Sequence, residues 1–84
     1  MNYKIVFEKP AQKFLLKQPA NVQKRLLSAI AKLPTSGDIK QLHGHDCLYR
    51  LRIGDFLVIY TLKNDILTVC ILTIGNRGDI YKQF

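Results

Sequence analysis

The sequence predicts an α+β domain in which an N-terminal strand, an antiparallel helical hairpin and a three-stranded antiparallel meander follow one another, in the order β-α-α-β-β-β. Apolar residues recur at helical spacing before Pro34 and alternate with other residues from Cys47 onward. Proline and glycine separate the two patterns. The 84 residues have room for one domain, residues 1–84. We expect the hairpin to pack on a mainly antiparallel sheet of four strands.

The N-terminal half predicts one strand and two helices. Residues 3–7 favour a short strand, and Pro10 is suited to the first turn of a helix. The helical pattern stops at Pro19, and an apolar stripe over residues 22–33 predicts a second helix that Pro34 ends. The short connection between the helices predicts that they run antiparallel.

The C-terminal half begins with a predicted loop over residues 34–46, which lack periodicity. Two alternating segments then flank Gly54-Asp55, a pair expected to form a two-residue type II′ hairpin turn. Residues 63–65 predict the next turn, and the apolar residues 66–74 predict a long, central strand. Residues 75–78 are expected to form a mobile turn before a short tail.

The predicted hairpin fixes a register. With the turn at residues 54–55, Arg52 lies opposite Leu57 and Arg50 lies opposite Ile59, so that these four side chains share one face of the sheet. The other face then takes the remaining apolar and aromatic side chains of both strands: Tyr49, Leu51, Ile53, Phe56, Val58 and Tyr60.

The net charge of +7 and the pI near 9.7 favour a polyanionic partner. Residues 1–37 carry seven basic residues and one acidic residue, whereas residues 38–84 carry six and five. Most of the excess is helical lysine, for which a solvated helix face is an equal explanation. Three of the four arginines, however, lie in the balanced second half. The use of arginine rather than lysine in this half indicates specific, oriented contacts rather than diffuse electrostatic attraction.

The two cysteines and two histidines give no strong metal signal. Cys47 and Cys70 lack zinc or disulfide spacing, and both are expected to be buried thiols. His43, His45 and Cys47 alternate, but without a fourth ligand they are better explained as loop residues. No apolar run reaches the roughly 18 residues that span a bilayer, and the N-terminus does not resemble a secretory signal. We expect a cytoplasmic protein without a metal or other cofactor.

Three arginines and a tyrosine form a candidate phosphodiester site. Arg50 and Arg52 share a strand face next to a turn, and Arg77 and Tyr81 follow the last strand. Arginine holds phosphate through a planar set of donors, and a tyrosine hydroxyl can exchange a proton with a leaving oxygen. The arginines could instead be ordinary exposed strand residues and Tyr81 a C-terminal anchor; their joint occurrence favours a site.

These segments carry a resemblance to a known family. The order of elements, the segments Tyr49-Arg50-Leu51-Arg52-Ile53-Gly54-Asp55-Phe56 and Val58-Ile59-Tyr60, and the ending Ile74-Gly75-Asn76-Arg77-Gly78-Asp79-Ile80-Tyr81 resemble the RelE/ParE toxin superfamily of bacterial toxin-antitoxin modules, on its RelE side. The similarity extends over essentially the whole chain. It implies an endoribonuclease that cuts mRNA in the ribosomal A site and is silenced by a partner antitoxin.

The resemblance implies roles for individual residues. Arg52, Arg77 and Tyr81 match catalytic positions: a strand residue that assists proton transfer, the arginine that stabilises the scissile phosphate, and the tyrosine beneath the cleaved nucleotide. Arg50 matches a residue that grips the mRNA backbone. The remaining RNA-binding residues are expected to be Lys40 and Lys82.

Leu57 departs from the family, because many relatives have a further arginine there. We expect that an arginine at this position would lie beside Arg52 and add a phosphate contact. Two alternatives stay open. One is a ParE-like inhibitor that binds DNA gyrase, which Leu57 slightly favours, and the other is a degenerate toxin that only binds an antitoxin. Arg77 followed at four residues by Tyr81 favours the nuclease.

Overall fold

The computed structural model describes residues 4–33, 35–42, 48–63, 68–76 and 78. The predicted α+β fold is confirmed, with five strands in place of four. Along the chain the elements are β1 (Lys4–Phe7), α1 (Lys9–Leu16), α2 (Ala20–Ile30), β2 (Asp38–Gln41), β3 (Leu48–Ile53), β4 (Phe56–Lys63) and β5 (Thr68–Asn76). They form one sheet in the order β1-β5-β4-β3-β2, in which only the β1–β5 pair is parallel.

Both predicted helices are present. Pro10 lies in the first turn of α1, where its missing N–H costs no helical hydrogen bond. Helix α2 ends at Ile30, three residues before the predicted end, and a turn follows in which the N–H of Leu33 donates to Ile30 O at 3.0 Å. Leu33 is nevertheless buried, because the turn keeps it on the apolar side. Within the described residues, no helix has the length and apolarity to cross a membrane.

Strand β2 corrects the prediction that residues 34–46 form only a loop. It pairs antiparallel with β3, placing Asp38 opposite Arg52 and Lys40 opposite Arg50. The strand has four residues and one large apolar side chain, Ile39, which packs against the core. So short an edge strand has no readable alternation, and hydrogen bonds to β3 stabilise it.

Strand β5 also extends beyond its predicted end. It includes Gly75 and Asn76, which pair with Leu57 and Phe56, so the predicted turn cannot begin at residue 75. The strand is interior, between β1 and β4, but β4 is the middle strand of the sheet. Lys63 belongs to β4 rather than to a turn. The rest of that predicted turn lies outside the described residues.

The two faces of the sheet differ in what packs on them. Both helices pack on one face, the helix face, where Leu26 and Ile30 meet apolar side chains of β3, β4 and β5. Tyr49 and Tyr60 stack there with ring centroids 5.5 Å apart. The opposite face, here called the outer face, contains a smaller buried cluster of Leu57 and Ile59, against which Leu42 and Leu72 pack. The predicted division of side chains between the faces is therefore confirmed.

Candidate active site

Strand β3 presents the two central arginines on the outer face. Its alternate residues Tyr49, Leu51 and Ile53 pack in the helix-face core, so that Arg50 and Arg52 must point the other way. The predicted register is confirmed, with Arg50 opposite Ile59 and Arg52 opposite Leu57. Gly54 has a φ of 59°, the positive value required at the first position of the predicted turn.

Arg50 is held by the edge strand. Its Nη1 lies 3.5 Å from Oδ1 of Asp38 and donates to the main-chain oxygen of the same residue at 3.3 Å. The Arg50 side chain is 14% exposed, whereas that of Asp38 is 58% exposed. Lys40, directly opposite Arg50, is exposed. Asp38 thus neutralises part of the charge on Arg50 and orients its guanidinium.

Arg52 is differently placed. It is exposed, and its Nε donates to the main-chain oxygen of Gly54 at 3.3 Å. Among the described residues no carboxylate lies within ion-pair distance of it. Its remaining guanidinium N–H groups are therefore available to an anion at the hairpin turn.

Leu57 does not offer the exposed position expected from the sequence. It faces the same side as Arg52, but its exposed fraction is 0%. Together with Ile59 it forms the buried outer-face cluster. An arginine introduced here would enter an apolar environment, which disfavours its charge. The burial of Leu57 argues against the expected additional phosphate contact at position 57, which stays a prediction, whereas the predicted register is confirmed.

Three predicted site residues, Arg77, Tyr81 and Lys82, lie outside the described residues. Their place in the chain is still informative. Asn76 is the last residue of β5 and pairs with Phe56, which directly follows the hairpin turn. Arg77 is the next residue after Asn76.

Arg25 of α2 reaches the same turn, although in the sequence it is visible only as one of several basic residues of a helix. A Cβ added to Gly54 would collide with Nη2 of Arg25 and would lie 3.2 Å from its Cζ. The guanidinium therefore lies against the Gly54 backbone. A glycine at a turn is consistent with such a close approach, but it does not identify the residue that approaches.

A family model for the ParE toxin of type II toxin-antitoxin systems matches residues 5–81. The chain is also 33% identical, over 89 residues and 99% of both chains, to a protein of Methanocaldococcus jannaschii named as the toxin RelE1. The chain belongs to the RelE/ParE toxin superfamily. The family model carries the name ParE and the relative carries the name RelE. The superfamily is therefore established, but these matches do not distinguish a RelE-like target from a ParE-like one.

Solved structures resemble the toxin along nearly its whole length. The archaeal RelE-RelB complex of Pyrococcus horikoshii OT3 matches with a TM-score of 0.75 and 29% identity, covering 93% of this toxin and 98% of that chain. The RelB-RelE antitoxin-toxin complex of Methanococcus jannaschii matches with a TM-score of 0.75 and 27% identity, covering 94% and 98%. Both structures are complexes of RelE with RelB, and the second is described as an antitoxin-toxin complex.

His43, His45 and Cys47 lie outside the described residues. Within the described part of the chain, no group of three or more His, Cys, Asp and Glu side chains could hold a metal ion. Cys70 is a free, buried thiol, as predicted.

Proposed function

We propose that this toxin is a ribosome-dependent endoribonuclease that cuts mRNA in the A site and so inhibits translation in the cytoplasm. The observation that carries the proposal is Arg52, an exposed arginine anchored at the hairpin turn without a carboxylate partner among the described residues. Strand β5 ends beside this turn, and Arg77 is the next residue in the chain. Two arginines near one phosphate suit the charge that develops during cleavage.

The proposed chemistry relies on the nucleophile that RNA itself carries. The 2′-hydroxyl loses its proton and attacks the adjacent phosphorus, the P–O5′ bond breaks, and the leaving 5′-oxygen takes up a proton. The products are a 2′,3′-cyclic phosphate and a 5′-hydroxyl, and water can then open the cyclic ester to a 3′-phosphate. The toxin has to align these atoms and neutralise the phosphate. This reaction needs no metal ion.

The proposed roles follow from protonation. Arginine stays protonated in proteins, so Arg52 orients and neutralises the phosphate but does not abstract a proton. Tyr81 is the proposed proton carrier. Arg77 is proposed to stabilise the scissile phosphate, while Arg50, Lys40 and Lys82 bind the RNA backbone. Because these acid-base groups are weak, the ribosome must supply the substrate geometry, and free RNA should be cut slowly.

A translation reaction with a defined mRNA, followed by primer extension, tests the nuclease. The toxin should produce stops inside A-site codons. Arg77→Ala and Tyr81→Phe should each lower the cleavage rate about a hundredfold to a thousandfold, since each removes a contact made in the transition state. Lys32→Ala, which removes an exposed charge outside the proposed site, is the control. Undiminished cleavage in both site variants would contradict the assignment.

A ParE-like inhibitor of DNA gyrase is the second candidate. It is favoured by Leu57, which stands where many RelE-like relatives have an arginine and which is buried in the outer-face cluster. A supercoiling assay with purified gyrase distinguishes the two candidates. Loss of supercoiling without mRNA cleavage would replace the nuclease proposal, and inactivity in both assays would leave a degenerate, antitoxin-binding module.

We further propose a cognate antitoxin as the partner, in a toxin-antitoxin hetero-oligomer. The two archaeal relatives were solved as complexes with RelB. On this chain, a groove of about 420 Å³ is lined by residues of β1 and α1, including Phe7, Leu15 and Leu16. Leu16 is 74% exposed, and β1 is an edge strand. An acidic, amphipathic segment could pair with this edge and cover the groove.

Calorimetry with the product of the neighbouring reading frame tests the partner. Leu16→Asp should weaken binding at least tenfold, because it places a charge in the groove. Leu27→Asp is the matched control, since Leu27 is an exposed leucine on the other helix. Binding should also weaken as salt increases if charge dominates. Equal affinities for the two variants would exclude this groove as the docking surface.

A further inference from the structure

Arg25 and Arg52 approach one residue, Gly54, from opposite faces of the sheet. Arg25 belongs to α2, on the helix face, and its guanidinium lies against the Gly54 backbone. Arg52 points to the outer face and donates to the main-chain oxygen of Gly54. The end of the β3–β4 hairpin therefore brings together two guanidinium groups from residues 27 positions apart in the sequence.

Among the described residues, no carboxylate forms an ion pair with Arg25 or Arg52. The acidic residue nearest in sequence is Asp55, which is exposed and makes no ion pair with either arginine among the described residues. The described ion pair at this end of the sheet joins Arg50 to Asp38 instead. Two like charges near one turn repel each other, and anions bound beside them would relieve that repulsion.

We infer that Arg25 is an RNA-binding residue of the toxin, which holds a backbone phosphate next to the one contacted by Arg52. This inference rests on the proposed function. The guanidinium approaches Gly54 with its Nη2 end, where a Cβ would displace it, and its other N–H groups remain able to reach a phosphate. Lysine has neither the flat head nor the forked donors. Through Arg25, helix α2 would thus add a phosphate contact to the one that Arg52 makes from strand β3.

A pair of matched variants tests this role. Arg25→Gln removes the charge but keeps a planar polar head, and Lys24→Gln removes one charge from the adjacent exposed residue of the same helix. Both variants lose the same diffuse attraction, but only Arg25→Gln loses a placed contact. Arg25→Lys keeps the charge and alters the shape. Thermal unfolding of all three verifies that the fold is retained.

Binding is measured with ribosomes, as a dissociation constant over a range of salt concentrations. One arm uses ribosomes programmed with an mRNA whose A-site codon carries 2′-O-methyl groups, so that the codon cannot be cut; the other uses ribosomes without mRNA. Arg25→Gln should weaken binding about tenfold and reduce the salt dependence by about one phosphate contact. Lys24→Gln should change affinity less than about twofold. Arg25→Lys should restore only part of the loss.

The two arms identify the source of the phosphate. A defect confined to programmed ribosomes assigns it to mRNA, and a defect in both arms assigns it to ribosomal RNA; either result supports the inference. Equal affinities and salt dependences for Arg25→Gln and Lys24→Gln in both arms would overturn it. Because the codon cannot be cut, this assay measures binding independently of cleavage. If the toxin fails to cut ordinary mRNA but Arg25→Gln still weakens ribosome binding, the nuclease proposal is wrong and the RNA contact of Arg25 stands.

Discussion

The helix face and the outer face of the sheet arise from the same strands but serve different ends. The helix face buries a continuous apolar core that joins both helices to β3, β4 and β5. The outer face combines a small buried cluster around Leu57 and Ile59 with the polar row formed by Asp38, Lys40, Arg50 and Arg52. Alternation along β3 makes this possible, because one strand can contribute to stability on one side and to binding on the other.

Leu57→Arg should have the largest effect on stability. The side chain is completely buried on the outer face, so an arginine would bring an unpaired charge and extra volume into an apolar cluster. We expect a loss of about 5 kcal/mol of unfolding free energy, measured by urea denaturation. Leu57→Met, the control, should cost less than about 1.5 kcal/mol. A stable Leu57→Arg variant with faster RNA cleavage would mean that the outer face is as open at β4 as at β3.

Leu26→Ala tests how much packing on the helix face contributes to the unfolding free energy, again measured by urea denaturation. Leu26 is fully buried between α2 and the sheet, and its truncation should cost about 3 kcal/mol. The adjacent Leu27 is partly exposed, so Leu27→Ala should cost less than about 1 kcal/mol. Similar losses for the two variants would contradict the packing of α2.

Tyr60 should make the helix face sensitive to high pH. Burial, together with the neighbouring Tyr49, raises the pKa of Tyr60 from 10.0 to about 12. The neutral phenol is favoured in the folded state, so its contribution to stability is complete below pH 10. That contribution is lost as the pH rises through 12, in total about 3 kcal/mol.

Urea denaturation at pH 8, 10 and 11 measures this loss. Tyr60→Phe should lose less stability over this range than the unaltered protein, because it has no phenol at position 60 to ionise. Tyr49→Phe still contains Tyr60, so its unfolding free energy should decrease at high pH almost as much as that of the unaltered protein. Identical pH dependence in Tyr60→Phe and the unaltered protein would contradict the raised pKa.

Asp38→Asn should have the smallest effect on stability. It removes an ion pair whose acidic partner is mostly exposed, which is worth less than about 1 kcal/mol. The change leaves Arg50 without its neutralising carboxylate, so RNA affinity should rise severalfold in a filter-binding assay. Lower RNA affinity would indicate that Asp38 holds Arg50 in its binding position rather than competing with the phosphate.

Strong periodicity made most of the fold predictable. The stripe over residues 22–33 identified α2, and Gly54-Asp55 fixed the hairpin register and the face of Arg50 and Arg52. Strand β2 was missed because four residues carry too little pattern and depend on β3 for their hydrogen bonds.

The site was only partly predictable. Arg50 and Arg52 could be assigned to a face, but not their different partners, Asp38 and the oxygen of Gly54. Leu57 was predicted on the right face, yet its burial depends on packing between strands that local sequence does not report. The approach of Arg25 to the hairpin depends on how α2 lies across the sheet, a tertiary relation that no short motif encodes.

The parallel pairing of β1 with β5 has a consequence for synthesis. Lys4 pairs with Thr68 and Phe7 with Ile71, so the first strand of the sheet finds its neighbour only after the intervening helices and strands have been made. Contacts between such distant segments form slowly, because a long loop must close first. While the chain is still being translated, β1 has no strand beside it and α1 lacks the β5 surface on which it packs. The sheet can therefore be completed only after β5 has been synthesised.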